Sequence, residues 1–382
     1  MFRFTPIASL CIGAITLLNA CGLGSDDRAT GSSTAGSSVI SSSGSSSSNR
    51  VPAEEAIEAT DVVTDLEAPW SVTFHNGTAL ISERDTARIL EVSADGATRV
   101  MATIEEARPQ GEGGLLGIAM HEDFLYAYYT AVDDNRIARL PITGDPGALS
   151  VGPSEVIFTS IPRAGTHNGG RIAFGPDGML YATTGDANQP DTAQDESSLA
   201  GKILRLTPEG NIPTDNPFPG SPVYSLGHRN PQGIAWDDQG TMYSSEFGQS
   251  TWDELNIITP GGNYGWPTVE GIANRDGFID PIQQWRPSEA SPSGMAVAGD
   301  SIFIANLRGQ SLREVPVSSP GTSRVLLRDE FGRLRDVVTA PDGTLRVLTN
   351  NTDGRGSPTT GDDRMLHIDP TTTTDTTTTA TM

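Results

Sequence analysis

Between about residues 51 and 369 the chain runs in short apolar stretches cut by glycine, proline, aspartate and asparagine. The punctuation is too dense for long helices and suits many short strands. One phrase recurs. A small or polar residue leading into alternating apolar positions stands at residues 71–74, 117–120, 171–174, 233–236, 294–297 and 336–339. Three copies continue through a tight turn into a second apolar run. Pro176-Asp177-Gly178 leads into Met179-Leu180-Tyr181, Asp238-Gln239-Gly240 into Thr241-Met242-Tyr243, and Pro341-Asp342-Gly343 into Thr344-Leu345-Arg346. Asp-Gly readily takes the positive φ values of a hairpin turn, so these are strand-turn-strand signals. Copies about 40 to 60 residues apart have the period of propeller blades. The pattern therefore predicts an all-β fold, a six-bladed β-propeller of four-stranded antiparallel blades. A two-sheet sandwich would not repeat one phrase this evenly.

The ends of the chain read differently. Residues 1–20 carry Arg3, an apolar stretch from Ile7 to Leu18 and then Asn19-Ala20-Cys21, the layout of a secretory signal peptide. A cysteine directly after Ala20 resembles a bacterial lipobox, whose thiol is acylated and ties the mature protein to a membrane. Residues 21–50 are mostly serine, glycine, threonine and alanine, a composition that buries too little apolar surface to offset ordering entropy, and read as a tether. Residues 370–382 form a threonine-rich tail of the same kind. The expected body is residues 51–369, exported and lipid-anchored at the cell envelope.

Charge and cysteine usage narrow the chemistry. A formal net charge of −23 argues against a nucleic-acid partner, which needs a basic face. Both cysteines, Cys11 and Cys21, precede the body, so it has no disulfide, thiol nucleophile or thiolate metal ligand. Lys202 is the only lysine. Any cationic pocket is therefore built from arginine, whose planar fork suits carboxylate and phosphate oxygens.

Five polar groups lie beside the recurring phrases. His167, in Thr166-His167-Asn168-Gly169-Gly170, is the candidate base, because imidazole titrates nearest neutrality; His228 is its rival. Arg229 and Asn230 offer a forked cation and an amide. Arg333 and Arg335 stand at alternate positions of an extended segment, with Arg308 arriving from the neighbouring blade. Arginines from three blades meeting at one channel call for an anion between them. Residues 246–254 and 261–267 combine carboxylates with glycine-bearing loops, the hard oxygen donors that calcium prefers, or else are acidic surface loops without a metal. Glu112 stands in a glycine-rich segment that leads into a strand and lacks the lysine of a phosphate-binding loop.

Taken in order, GEGGLLGIA, HNGGRIAFGPDG, GHRNPQGIAW, SSEFGQSTWDELN, GGNYGWP, PSGMAV and RLRDVVTAPDG resemble the soluble pyrroloquinoline-quinone-dependent sugar dehydrogenases, in their aldose sugar dehydrogenase branch. The resemblance implies a six-bladed propeller with the quinone (PQQ) at its mouth and oxidation of the anomeric hydroxyl of an aldose to a lactone. It implies His167 as the base, and Glu112, Arg229, Asn230, Arg308, Arg333 and Arg335 around the cofactor. The backbone carbonyls of Gly248 and Gln249 are implied as ligands of a cofactor-bound calcium, Glu254 and Tyr264 as ligands of a second, structural calcium. Electrons would pass on to an external acceptor.

Three positions depart from the family pattern: Glu112 replaces a glutamine, Thr166 an aspartate and Gln249 a proline. Trp285 is read either as a sugar platform or as blade core. Two other readings of the scaffold stand beside the oxidation: a calcium-dependent lactonase-type hydrolase, which would not require the arginines, and a non-catalytic binding propeller.

Overall fold

The computed structural model describes residues 57–371. The signal peptide, Cys21, the tether and all but the start of the threonine-rich tail lie outside the described residues. Six antiparallel sheets follow one another along the chain. Blade 1 holds strands Pro69–His75, Thr78–Glu83, Arg88–Val92 and Thr98–Thr103. Blade 2 starts at Leu115–His121 and Phe124–Thr130, blade 3 at Ile172–Phe174 and Leu180–Thr184, and blade 4 at Pro231–Trp236 and Met242–Glu246. Blade 5 starts at Pro292–Ala298 and Ser301–Asn306, and blade 6 at Leu334–Thr339 and Leu345–Thr349. Every recurring phrase falls at the first strand of a blade. Each first strand packs against the first strand of the next blade, and blade 6 returns to blade 1, so the six form a ring. The ring is fastened by strand Ala59–Val63, which pairs with Met365–Ile368 as the outermost strand of blade 6.

Packing explains the phrase. Successive strand residues point to opposite faces, and in a propeller both faces of a blade are covered. In Phe124–Thr130, Leu125, Ala127 and Tyr129 enter the core shared with blade 1, while Tyr126 and Tyr128 enter the core shared with blade 3. Such a strand reads as a continuous apolar run. Six buried clusters result, one at each blade junction. The small residue opening the phrase has its own cause. A Cβ on Gly294 would lie 1.8 Å from Asp336 Oδ1, and one on Gly233 2.4 Å from Ser293 O, because first strands crowd together near the axis.

Below the mouth the channel is plugged by a polar network. Arg171 donates to Asp336 Oδ2 at 3.0 Å, to Ser71 Oγ at 3.0 Å and to Gln232 O at 2.9 Å, and stacks on Trp70. Asp336 also accepts from Val72 N at 3.0 Å, so this pair ties four blades together. Arg171→Ala leaves a buried carboxylate unpaired, a defect worth about 3–5 kcal/mol. Chemical denaturation is expected to show a loss of that order.

Candidate active site

In an antiparallel blade the chain entering the first strand and the link between the second and third strands lie at the same end. Glu112, His167, Arg229, Asn230 and Arg333 come from segments of the first kind. Asp186, Gly248, Gln249, Arg308 and Arg355 come from links of the second. The topology thus delivers residues from five blades to one mouth. A cavity of about 280 Å³ opens there, lined by Glu112, His167, Arg229, Asn230, Gly248, Gln249, Arg308 and Arg333, among others.

His167 is held in an uncommon conformation. Its φ of 59° is in the left-handed region, which a non-glycine residue adopts only when its surroundings impose it. The next residue does the imposing: Asn168 is buried, its Oδ1 accepts from Ala164 N and Asn135 Nδ2, and its carbonyl accepts from Tyr128 Oη at 3.0 Å. The imidazole Nδ1 is 2.7 Å from Asp186 Oδ1. The Trp266 indole N–H donates to the other carboxylate oxygen at 2.9 Å. Burial alone would raise Asp186, but the hydrogen bond and charge of His167, Asn188 N–H and the indole hold it below the usual carboxylate range. A carboxylate at Nδ1 takes the ring's N–H. Nε2 is left as the acceptor, and Arg229 Nη2 donates to it at 2.9 Å. Only glycine fits beside this pair at Gly185, where a Cβ would lie 2.0 Å from His167 O.

The other histidines serve the scaffold. His228 is fully buried between Glu246 and Ser225, each 2.8 Å away, and stacks on Tyr264. His121 stacks on Phe174, His75 bonds Asn76, and His367 bonds Arg346. Trp285 is blade core with Arg313 over its face.

The arginines are partly compensated by protein. Arg333 Nη2 lies 3.2 Å from Asp353 Oδ2, and Arg335 Nη2 lies 3.8 Å from the same oxygen. Asp353 thus takes part of the arginines' charge, so the ligand expected between them need not balance all of it. Arg335 is not at the cavity wall. It sits in the channel below, bonded to Asn350 Oδ1 and Gln232 Oε1, and burial pulls its pKa down to about 9. What lines the cavity is four arginines, Arg229, Arg308, Arg333 and Arg355, against two acids, Glu112 and Asp253. Burial pushes Asp253 up to about 6, and its two oxygens are taken by the N–H groups of Gly248 and Ser291. Arg308 is exposed and has no hydrogen-bond or ion-pair partner among the described residues. Asn230 accepts Gly169 N with its Oδ1, yet its buried Nδ2 has no partner. The wall therefore offers an excess of cations and an orphaned donor, features suited to an anionic ligand rich in carbonyl and carboxylate oxygens.

Gly248 and Gln249 adjoin the same cavity. Glu270 Oε1 accepts the N–H groups of Gln249, Ser250, Thr251 and Trp252 at 2.7–3.3 Å. In a trans peptide the carbonyl points opposite to the N–H that follows it, so the carbonyls of Gly248 and Gln249 point away from Glu270. Behind them is a space of about 10 Å³, enough for one ion or water, lined by Glu246, Glu254, Glu270 and Tyr264. Glu246 is committed to His228, and Glu270 to backbone N–H groups. Glu254 is pushed up to about 8 by burial and then by the charge of Glu246. The Tyr264 hydroxyl donates to Ile257 O and accepts from Thr259 N, so only its carbonyl is a candidate donor. Among the described residues no cluster of three or more His, Cys, Asp or Glu side chains is arranged to hold a metal unaided.

The sequence profile of the glucose/sorbosone dehydrogenase family matches residues 66–357. The chain belongs to that family. An aldose sugar dehydrogenase of Escherichia coli is 32% identical over 332 residues, covering 76% of this chain and 89% of its own length. Among solved structures, the PQQ-bound form of an aldose sugar dehydrogenase from Streptomyces coelicolor is 45% identical with a TM-score of 0.78, covering 83% of this chain and 99% of that one. The apo form of the soluble Escherichia coli aldose sugar dehydrogenase superimposes with a TM-score of 0.72 at 27% identity, covering 82% of this chain and 100% of that one. Family membership makes the chain an oxidoreductase, and sets aside the hydrolase and the silent binding propeller.

Sequence reasoning missed three residues of this dehydrogenase's site: Asp186 behind the imidazole, Asp353 beneath the arginines and Arg355 at the rim. It noted Lys202 only as the single lysine. The structure buries that ammonium completely, donating to the carbonyls of Thr192, Ala193 and Ala200 at 2.7–2.9 Å. Lys202 thereby fastens residues 185–201, the link that carries Asp186. Lys202→Met strands three carbonyls in the interior, and thermal unfolding is expected to register a loss of about 3 kcal/mol.

Proposed function

We propose that this sugar dehydrogenase oxidises the anomeric hydroxyl of aldoses to lactones with pyrroloquinoline quinone, using His167 as the base. One observation carries the reading: an imidazole whose Nδ1 is held by Asp186 and whose Nε2 meets Arg229 at the wall of a cavity dominated by arginines. The quinone-bound Streptomyces relative, at 45% identity over nearly its whole length, supports the choice of cofactor.

When bound, the quinone supplies the two-electron oxidant that takes hydride from C1. Everything else falls to this chain. Arg229, Arg308 and Arg333 would hold the cofactor's carboxylates, and Asn230 Nδ2 would gain the acceptor it lacks. Arg335, one layer lower, supports Arg333 from beneath through their shared partner Asp353. Once Arg229 Nη2 turns from Nε2 to the cofactor, His167 Nε2 takes the proton of the anomeric hydroxyl, and Asp186 stabilises the imidazolium that forms. Calcium fits the carbonyl oxygens of Gly248 and Gln249, which are hard donors without competing N–H partners from Glu270's side. A second calcium fits Glu254 and the carbonyl of Tyr264, where it would restore the charged form that burial and Glu246 oppose. Reoxidation requires an external electron acceptor. We read the N-terminal pattern as that of an exported enzyme held at the cell envelope through a lipid on Cys21.

Reconstitution tests the reading. Quinone-free protein given PQQ and calcium is expected to reduce an artificial dye only when an aldose is added. Sugar-dependent dye reduction without the quinone, or none with it, contradicts the assignment.

A further inference from the structure

Residues 261–267 stand out in the sequence for their oxygen donors, yet two side chains of that loop, Asn263 and Trp266, serve a different task. Trp266 touches both groups that address the imidazole of His167. Its indole N–H donates to Asp186 Oδ2 at 2.9 Å, and Asp186 Oδ1 lies 2.7 Å from Nδ1. The guanidinium carbon of Arg229 lies 5.5 Å from the centre of the indole ring, and Arg229 Nη2 lies 2.9 Å from Nε2. One side chain thus backs the partner of each ring nitrogen. Asp186 is fully buried, and among the described residues its Oδ2 has no partner besides this indole.

An amide pair holds the indole. Gln194 Nε2 donates to Asn263 Oδ1 at 3.0 Å and to the Trp266 carbonyl at 2.7 Å, and Asn263 Nδ2 returns a bond to Gln194 Oε1 at 2.8 Å. The pair is pressed onto Gly227, where a Cβ would lie 2.2 Å from Asn263 Oδ1 and 2.9 Å from Gln194 Nε2. Backbone closes the same contact: Trp266 N donates to Gly227 O at 2.9 Å, and Gly227 N to Ala193 O at 3.0 Å. Gln194 is itself anchored. It ends the short helical turn Pro190–Gln194, and the Lys202 ammonium binds the carbonyls of Thr192 and Ala193 just before it. Asp186 and Gln194 belong to one link between strands of blade 3, so that link supplies both the carboxylate and the clamp on the indole that steadies it.

Resting on the oxidation proposed above, we infer that Trp266 is a positioning residue for the base, set in place by the Gln194–Asn263 amide pair. The amide pair fixes the indole, the indole fixes the Asp186 carboxylate, and the carboxylate keeps the ring proton on Nδ1. Loosening any member lets the carboxylate swing from Nδ1 and lowers the fraction of molecules whose Nε2 is an acceptor.

The test uses the full chain in three forms: Trp266→Phe, which keeps a ring and deletes the N–H, Gln194→Met, which keeps the length and deletes the amide, and the two combined. With PQQ and calcium added, Trp266→Phe is expected to lose about tenfold in kcat, the worth of one hydrogen bond to a charged group, while KM for the aldose and quinone content hold. Gln194→Met should lose up to as much. Because Gln194 acts through the indole N–H, the combined form should be no slower than Trp266→Phe alone. A second readout needs no turnover. In quinone-free protein with isotope-labelled tryptophan, the indole N–H signal missing from Trp266→Phe belongs to Trp266, and Gln194→Met should shift it while the remaining tryptophan signals stay in place. Asn263→Leu breaks the same pair from the other side and should shift the same signal. Losses that multiply in the combined form, a raised KM at unchanged kcat, or an unmoved indole signal overturns the inference. An inactive wild type that still binds the quinone contradicts the oxidation instead, and the indole signal, read without quinone or sugar, keeps the two failures apart.

Discussion

Replacing His167 by alanine is expected to lower kcat by roughly two to four orders of magnitude, the usual worth of a positioned general base. Quinone affinity should stay close to wild type. The separation follows from the geometry. The imidazole is neutral and offers only an acceptor, now shared with Arg229, while the charge that attracts an anionic cofactor resides on Arg229, Arg308 and Arg333. Removing the ring also frees Arg229 Nη2, which now donates to Nε2, so the cationic wall loses nothing. Single-turnover kinetics with preloaded quinone isolates the chemical step. A variant that turns over at the wild-type rate would show that proton removal lies elsewhere. One that loses its quinone would show that His167 is a binding group.

Asp186→Asn is the second large effect, and it acts through the tautomer. The carboxylate accepts from Nδ1 at 2.7 Å and thereby leaves Nε2 without a proton. An asparagine can present its amide N–H₂ to Nδ1 instead, which moves the ring proton to Nε2 and removes the base from the cavity. Losses of up to about 10⁴ follow when such a partner is neutralised in other His–Asp pairs. The Trp266 indole, 2.9 Å from the second oxygen, favours the amide oxygen on its own side and so aims the N–H₂ at the imidazole, at the expense of the Asn188 N–H that donates to the first oxygen. The expected signature is a fall in kcat with little change in melting temperature or quinone content. Wild-type kcat in this variant would mean that the tautomer is set by something other than Asp186.

The fold could be read from the chain because crowding at a propeller axis leaves a local mark. First strands approach so closely that Gly233 and Gly294 admit no Cβ, and the same small-then-apolar phrase recurs in every blade. Ring closure left no such mark. Ala59–Val63 carries no phrase of its own, and its partner Met365–Ile368 lies some three hundred residues away.

The site divides in the same way. His167, Arg229, Asn230 and Arg333 directly precede recognisable strands, which is why their convergence was foreseeable. Arg333 and Arg335 do share a side of an extended segment. Two residues of strand, however, advance about 7 Å along the axis, which carries Arg335 below the cavity floor. Asp186 and Arg355 lie in long links between strands, and nothing in their neighbours' composition announces that one meets an imidazole and the other a glutamate from another blade. Their roles follow from partners 19 and 243 residues distant.

The central claim is that the arginine-walled cavity is the seat of one quinone molecule. Calorimetric titration of PQQ into calcium-loaded apoprotein measures this directly, in wild type and in Arg308→Ala. The account predicts one saturable site per chain, weakened about tenfold by loss of the exposed guanidinium, which has no protein partner to compensate. Absence of saturable binding, or an affinity indifferent to Arg308, would contradict it.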